Sequence, residues 1–244
     1  MIVFVHGVPE TAAIWGSLRS RLDADSVALS LPGFGCARPS GFGATKEEYV
    51  QWLVQSLAAF DEPVDLVGHD WGAGLTYRVA TAHGELLRSW CADIGAIMHP
   101  NYVWHDFARI WQTPGDGEAF FQNQQSLAAE ERGAVYEMFG VGHDDAVAMG
   151  DATDETMGTC ILNLYRSATP NPYTNWGADF APTHAPGMVL FPTEDPFDDE
   201  GASLEVATML GARHTRLEGL SHWWPLQDPR RGAEVVHEFI RSVH

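Results

Sequence analysis

The sequence predicts an α/β architecture built on a mostly parallel sheet that is covered on both faces. Two observations carry this. Short apolar, β-rich runs recur along the chain, and helical patterns separate most of them. A third observation adds one departure: the alternation breaks between about residue 99 and residue 185, where helical segments follow one another with no strand between them.

In chain order the strand candidates are IVFV (2–5), SVALSL (26–31), VDLVG (64–68), SWCADIGA (89–96), GMVLFP (187–192) and ARHTRLEG (212–219). Thr45 opens a helix with the capping box T-K-E-E, in which Glu48 reaches back to the first turn, and Tyr49, Trp52, Leu53, Leu57 and Phe60 follow at helical spacing. Asp228-Pro229 caps and starts the last helix, with Val235, Phe239 and Val243 every four residues. The interrupted stretch carries Trp104, Trp111 and Trp176 and turn-rich joints at TPGDG (113–117) and ATPNPYTNWG (168–177). It reads as a helical lid, residues 99–185, inserted into one core made of residues 1–98 and 186–244.

At 244 residues, with 45% hydrophobic and 19% charged residues, the chain has material for one full core. Its net charge of −19 repels phosphates, which argues against nucleic acid and anionic membranes as partners. Cys36, Cys91 and Cys160 are sparse and lack a CxxC spacing, as free thiols in a reducing compartment would be. With no signal-peptide pattern at MIVFVHG and no membrane-span run, the expected location is cytoplasmic.

Four separated motifs point to one pocket. HGVPET (6–11) directly follows a strand, where a backbone N–H after His-Gly serves as half of an oxyanion hole. VGHDWGAG (67–74) has the G-x-nucleophile-x-G spacing of a strand-to-helix elbow, with Asp70 at the place where acyl-transfer enzymes hold a serine. VLFPTEDPF (189–197) offers Asp195 as the carboxylate that orients a histidine, and Asp93 in CADIGA is its rival. GLSHWWPLQDP (219–229) places His222 between the last strand and the last helix, completing the order nucleophile, acid, histidine. No HExxH or Cys/His ligand spacing occurs, so no metal and no cofactor are expected.

HGVPET, LPGFG (31–35), GHDWG and SHWWPLQDP together resemble the α/β-hydrolase superfamily, in the branch of epoxide hydrolases and haloalkane dehalogenases, along nearly the whole core. The resemblance implies the α/β-hydrolase fold, Asp70 as nucleophile, His222 as base, and the backbone N–H groups of Val8 and Trp71 as the oxyanion hole. Relatives carry two strands before the His-Gly-Pro motif, so a shortened sheet of six strands in the family's order 4-3-5-6-7-8 is expected here. SVALSL then becomes an edge strand without a blunting Lys or Pro. It is expected to be covered by a neighbouring segment or by a homodimer contact.

An aspartate elbow suits attack on an electrophilic sp³ carbon, leaving an alkyl ester that activated water hydrolyses. An epoxide leaves as an alkoxide and needs a proton donor, whereas a halide needs only N–H groups in an apolar pocket. NLYRSA (163–168) resembles the epoxide-hydrolase segment bearing one ring-opening tyrosine, which maps to Tyr165. IWQTPG (110–115) resembles the segment of the other donor, but the aligned residue is Ile110, leaving Tyr102 or the Trp111 indole as substitutes. His69, beside the elbow, is counted among the pocket residues. The leading expectation is an epoxide hydrolase acting on a small electrophile. The alternatives are a haloalkane dehalogenase with Trp71 and Trp111 as halide donors, and a small-molecule receptor with little activity.

Overall fold

The computed structural model describes residues 1–244. Six strands, β1 (Ile2–Val5), β2 (Ser26–Leu29), β3 (Val64–Gly68), β4 (Leu87–Ala92), β5 (Gly187–Pro192) and β6 (Arg213–Leu217), form one sheet. Its order is β2-β1-β3-β4-β5-β6, and every neighbouring pair is parallel. With β1 counted as the family's third strand, this is the expected 4-3-5-6-7-8.

Both faces of the sheet are dry at its centre, where β1, β3 and β5 are buried throughout, as parallel sheets require. Along β1, Val3 and Val5 enter the larger core cluster, while Ile2 and Phe4 enter a second cluster on the opposite face. The first face is covered by α2 (Lys46–Leu57) and α3 (Trp71–Ala82), the second by α1 (Gly16–Arg19), α11 (Trp224–Gln227) and α12 (Pro229–Val243). Each such side chain, fully buried, contributes about 1.5–3 kcal/mol. The capping box is formed: the Thr45 side chain accepts from the Glu48 N–H, and Glu48 accepts from the Thr45 N–H. Asp228 accepts from the Arg231 N–H, and Pro229 fills the first turn, where a missing donor costs nothing.

Between β4 and β5 the chain makes α4 (Asp106–Gln112), α5 (Asp116–Gln125), α6 (Ala129–Glu137), α7 (His143–Ala152), α8 (Glu155–Ser167) and α9 (Tyr173–Trp176), with no strand. Trp104, Trp111, Phe121, Met157 and Tyr165 from this insertion belong to the same cluster as the sheet face below. A further helix, α10 (Glu200–Leu210), joins β5 to β6. The second VGHD, at 141–144, is the start of α7 rather than a strand-to-helix turn.

β2 is an edge strand, and residues 26–30 are half-buried. The Arg19 guanidinium reaches Ser26 at the start of the strand, and the Cys36 thiol reaches the Leu31 carbonyl just past its end at 3.3 Å. No helix in the structure is long and apolar enough to cross a membrane.

Candidate active site

β3 ends at Gly68 and α3 begins at Trp71, so the chain turns within two residues. Asp70 sits at that turn with φ 51° and ψ −118°, a conformation L-residues rarely adopt. Such strain costs on the order of 1–3 kcal/mol and persists only where the surroundings fix it. Here they do. The Asp70 N–H donates to Asp93 Oδ1 at 2.9 Å, and the Asp70 carbonyl accepts from the Gly74 N–H at 3.0 Å. The flanking glycines admit the close approach: a Cβ on Gly7 would fall 2.3 Å from Asp70 Cβ, and one on Gly72 would fall 2.3 Å from the Val5 carbonyl oxygen.

The Val8 N–H donates to Asp70 Oδ1 at 2.8 Å, and Asp70 lines the cavity above. Burial pushes the Asp70 carboxyl up to about 6, against the pull of His222. The Trp71 N–H adds a smaller stabilisation of the ionised form.

His222 Nδ1 lies 2.9 Å from Asp195 Oδ2. A carboxylate only accepts, so Nδ1 carries the proton and Nε2 presents its lone pair. Asp195 Oδ1 accepts from the Phe197 N–H at 2.8 Å, which fixes the carboxylate in the turn after β5. Burial pulls the His222 pKa down, but the charge and hydrogen bond of Asp195 outweigh it, and the net shift is upward.

Beneath the elbow lies a buried polar network that the motifs did not disclose. His69 Nδ1 is 2.6 Å from Asp93 Oδ2 and His69 Nε2 is 3.1 Å from Glu10 Oε1, with all three side chains fully buried. Both partners are acceptors, so His69 is held as an imidazolium. Burial opposes that charge, and Asp93 and Glu10 together overcome it, raising the pKa well above the ordinary value. Reciprocally, His69 outweighs the burial of Glu10 and holds it down at about 2. The Trp223 indole donates to Glu10 and the Trp224 indole to Asp93, each at 2.6 Å.

These contacts correct two expectations. Asp93, the rival orienting acid, spends its carboxylate on His69, the Asp70 N–H and Trp224, and makes no bond to His222. His69 does not line the pocket, because both its ring nitrogens are engaged below the turn.

Above the elbow is a cavity of ≈ 190 Å³ lined by 18 residues, 11 of them hydrophobic. Asp70, Val8 and His222 form its floor, and Trp111, Tyr165, Phe121 and Phe139 are among the residues that wall it. Tyr165 packs edge-on against Trp71 at 5.4 Å and Trp111 at 4.8 Å between ring centres. Burial first, then the Asp70 charge, raises its phenol well above the ordinary value. The indole nitrogens of Trp71 and Trp111 are both buried without a hydrogen-bond partner.

The α4 segment is phased differently from the sequence alignment. Ile110 does not line the cavity; of α4 the buried Trp111 does, together with Phe107, which is itself partly exposed. Tyr102 lines a neighbouring cavity with His99 and Asp198 rather than the one above Asp70. Its phenol is nonetheless raised by burial and then by the Asp70 charge, and His105 and Phe197 line both cavities. His105 caps α4 by accepting the Ala108 N–H on Nδ1 at 3.3 Å, so Nε2 bears the proton of the neutral ring. Burial lowers its pKa to about 4.

A strained aspartate at a strand-to-helix elbow, a buried Asp–His pair, and a lid-walled apolar cavity over the C-terminal edge of a parallel sheet define a hydrolase site. Consistent with that, residues 2–235 match the profile described as the alpha/beta hydrolase family, and the chain belongs to that family. Among curated proteins it is 25% identical to Epoxide hydrolase 2 of Caenorhabditis elegans over 272 residues, 99% of this chain and 74% of that protein. Among solved structures, a putative epoxide hydrolase from Pseudomonas aeruginosa aligns with a TM-score of 0.80 at 19% identity, covering 99% of this chain and 88% of that one. A haloalkane dehalogenase from Bradyrhizobium elkani aligns with a TM-score of 0.77 at 19% identity, covering 99% and 90%. The chain is a hydrolase of this family, and it shares its fold with both kinds of enzyme.

Proposed function

We propose that this hydrolase opens epoxides to vicinal diols through an ester on Asp70. The observation that carries the reading is the Tyr165 phenol, which shares the cavity with Asp70 and feels its charge. Oδ1 is occupied by the Val8 N–H, so Oδ2 attacks the epoxide carbon. As that C–O bond breaks, its electron pair goes to the ring oxygen, which takes the Tyr165 proton and becomes a hydroxyl. His222 Nε2 then removes a proton from water, whose oxygen attacks the ester carbonyl carbon, and Asp195 stabilises the imidazolium. The oxyanion forms on Oδ1 against the Val8 and Trp71 N–H groups, donors worth about 2.7–4 kcal/mol each where measured. On collapse the bond from the ester carbon to the alkyl oxygen breaks, that oxygen takes the His222 imidazolium proton to give the diol, and the remaining carboxyl proton returns to Tyr165, restoring the Asp70 carboxylate.

The unpaired indoles of Trp71 and Trp111 support a second reading, displacement of halide from a haloalkane. A panel of aromatic and aliphatic epoxides and bromoalkanes separates the two, with diol expected from the epoxides. Halide release without any diol would replace the first reading by the second. His222→Gln is expected to strand the ester, seen as a mass increase of one substrate. No adduct with any electrophile would instead favour a receptor that binds without turnover.

A further inference from the structure

The wall of the Asp70 cavity formed by α5, α6 and the end of α7 is not apolar. Gln124, Arg132, Tyr136 and Thr153 lie on it, and Arg132 is the only Lys or Arg that lines the cavity. Seven of the 13 arginines pair with a carboxylate and six, Arg132 among them, do not. Arg78 pairs with Asp179, Arg88 with Asp65, Arg166 with Glu118 and Arg216 with Glu200. Arg132 pairs with none. Backbone carbonyls hold it instead: Nε donates to Gly150 at 2.6 Å, and Nη1 to Leu127 at 2.7 Å and Gln124 at 3.4 Å.

Those bonds use three of the five guanidinium N–H groups and fix its plane where three helices meet. The two N–H groups of Nη2 have no acceptor in the protein, and Nη2 is not among the buried unpaired atoms. A guanidinium nitrogen immobilised in advance, with both its N–H groups open, suits a carboxylate oxygen, because little rotamer freedom remains to be lost on binding. A single such nitrogen with no lysine and no second arginine is too little for a phosphate dianion in a chain of net charge −19. At physiological salt that overall charge is screened beyond about 8 Å, so the local cation decides.

The geometry points to a carboxylate subsite at Arg132, with Tyr136 beside it: the electrophile opened at Asp70 carries a carboxylate at the end of an apolar spacer. The spacer lies among Phe120, Phe121, Val135 and Phe139, which line the same cavity. The claim that this ligand is opened rests on the function proposed above; the claim that a carboxylate binds here does not.

The test pairs 7,8-epoxyoctanoate with its methyl ester, which removes the charge and keeps the epoxide. The wild-type protein is expected to favour the acid in kcat/KM by roughly tenfold or more, the low end for a charge-assisted hydrogen bond. Arg132→Gln is expected to bring the acid down to the level of the ester while the ester itself changes by less than about threefold. Equal use of acid and ester by the wild-type protein, or an acid preference that survives Arg132→Gln, overturns the inference. A parallel loss of both substrates in Arg132→Gln reports damage to the α5–α6 joint. Tyr136→Phe, which leaves that joint intact, then decides by lowering the acid selectively or failing to. Calorimetric binding of unreactive octanoate against octanamide needs no chemistry. If no epoxide is opened but octanoate binds and Arg132→Gln abolishes it, the function fails and the subsite stands; octanoate binding unchanged by Arg132→Gln overturns the subsite.

Discussion

Replacing Asp70 by asparagine removes the charge and leaves the shape. The new side chain still accepts the Val8 N–H, and the backbone keeps its φ of 51°. Burial raises the Asp70 carboxyl from 3.8 to about 6, so the folded protein resists its ionisation more than the unfolded chain does. The native state therefore binds the extra proton between those values, and stability falls as pH rises through them. About two units correspond to about 3 kcal/mol. Asp70→Asn is expected to match the wild-type protein in stability near pH 4 and exceed it by about 3 kcal/mol at pH 8. For a domain of this size that is a melting shift of roughly 6–12 °C. Urea denaturation of both proteins at several pH values measures the gap. A gap that does not depend on pH, or a less stable Asp70→Asn protein at pH 8, would refute the argument that the Asp70 carboxylate is held ionised at the expense of the fold.

Three further outcomes follow from the site. Turnover is expected to fall as pH drops through about 6, because the proposed mechanism needs Asp70 ionised to attack and His222, raised above its ordinary value, neutral to activate water; a diol-release rate flat from pH 8 to pH 5 would contradict both proposed roles. Asp195→Asn is expected to lower kcat by about 10⁴-fold through the wrong imidazole tautomer with little loss of stability. Asp93→Asn is expected to cost about 3 kcal/mol of stability, because it removes one of the two carboxylates that hold the His69 charge and leaves Glu10 alone against it; kinetics and melting of the two variants side by side would show a reversed order if Asp93 were the orienting acid. Gly7→Ala, whose Cβ would lie 2.3 Å from Asp70 Cβ, is expected to abolish activity, and an active variant would mean the elbow yields.

Local rules made most of the fold legible. The apolar runs became β1 to β6, and the T-K-E-E and Asp-Pro signals became the starts of α2 and α12, because each depends on residues a few positions apart. Asp70, His222 and Asp195 were readable because the sheet brings the ends of its strands together whatever the lid does. The partner of Asp93 was not. Asp93 and His69 are 24 residues apart, and both lie at strand ends where several acids and histidines compete for the same partners. Only the side-chain packing of Trp223 and Trp224 sorts them. Which substitute donor reaches the cavity was not readable for a different reason: a motif matched across a short helix fixes the residues but not the rotation, and of the two substitutes Trp111 lines the cavity while Tyr102 does not. Arg132 carries no motif, since its meaning lies in having carbonyl partners and no acidic one.

The Glu10–His69–Asp93 network has a consequence for how the molecule fails on heating. Glu10 comes from the loop after β1, where it also accepts the Gly7 N–H at 3.0 Å. His69 leads the elbow, Asp93 ends β4, and Trp223 and Trp224 belong to the loop that carries His222. Four catalytic-side loops are thus riveted to one another beneath the reacting groups rather than each resting separately on the sheet. Loops ordinarily open before the core they decorate. Here one loop cannot lift without leaving a charge or an indole N–H of another unpaired in a dry interior. Loss of turnover and loss of the sheet should therefore share one thermal midpoint, and the floor of the cavity should exchange its amide hydrogens as slowly as the strands.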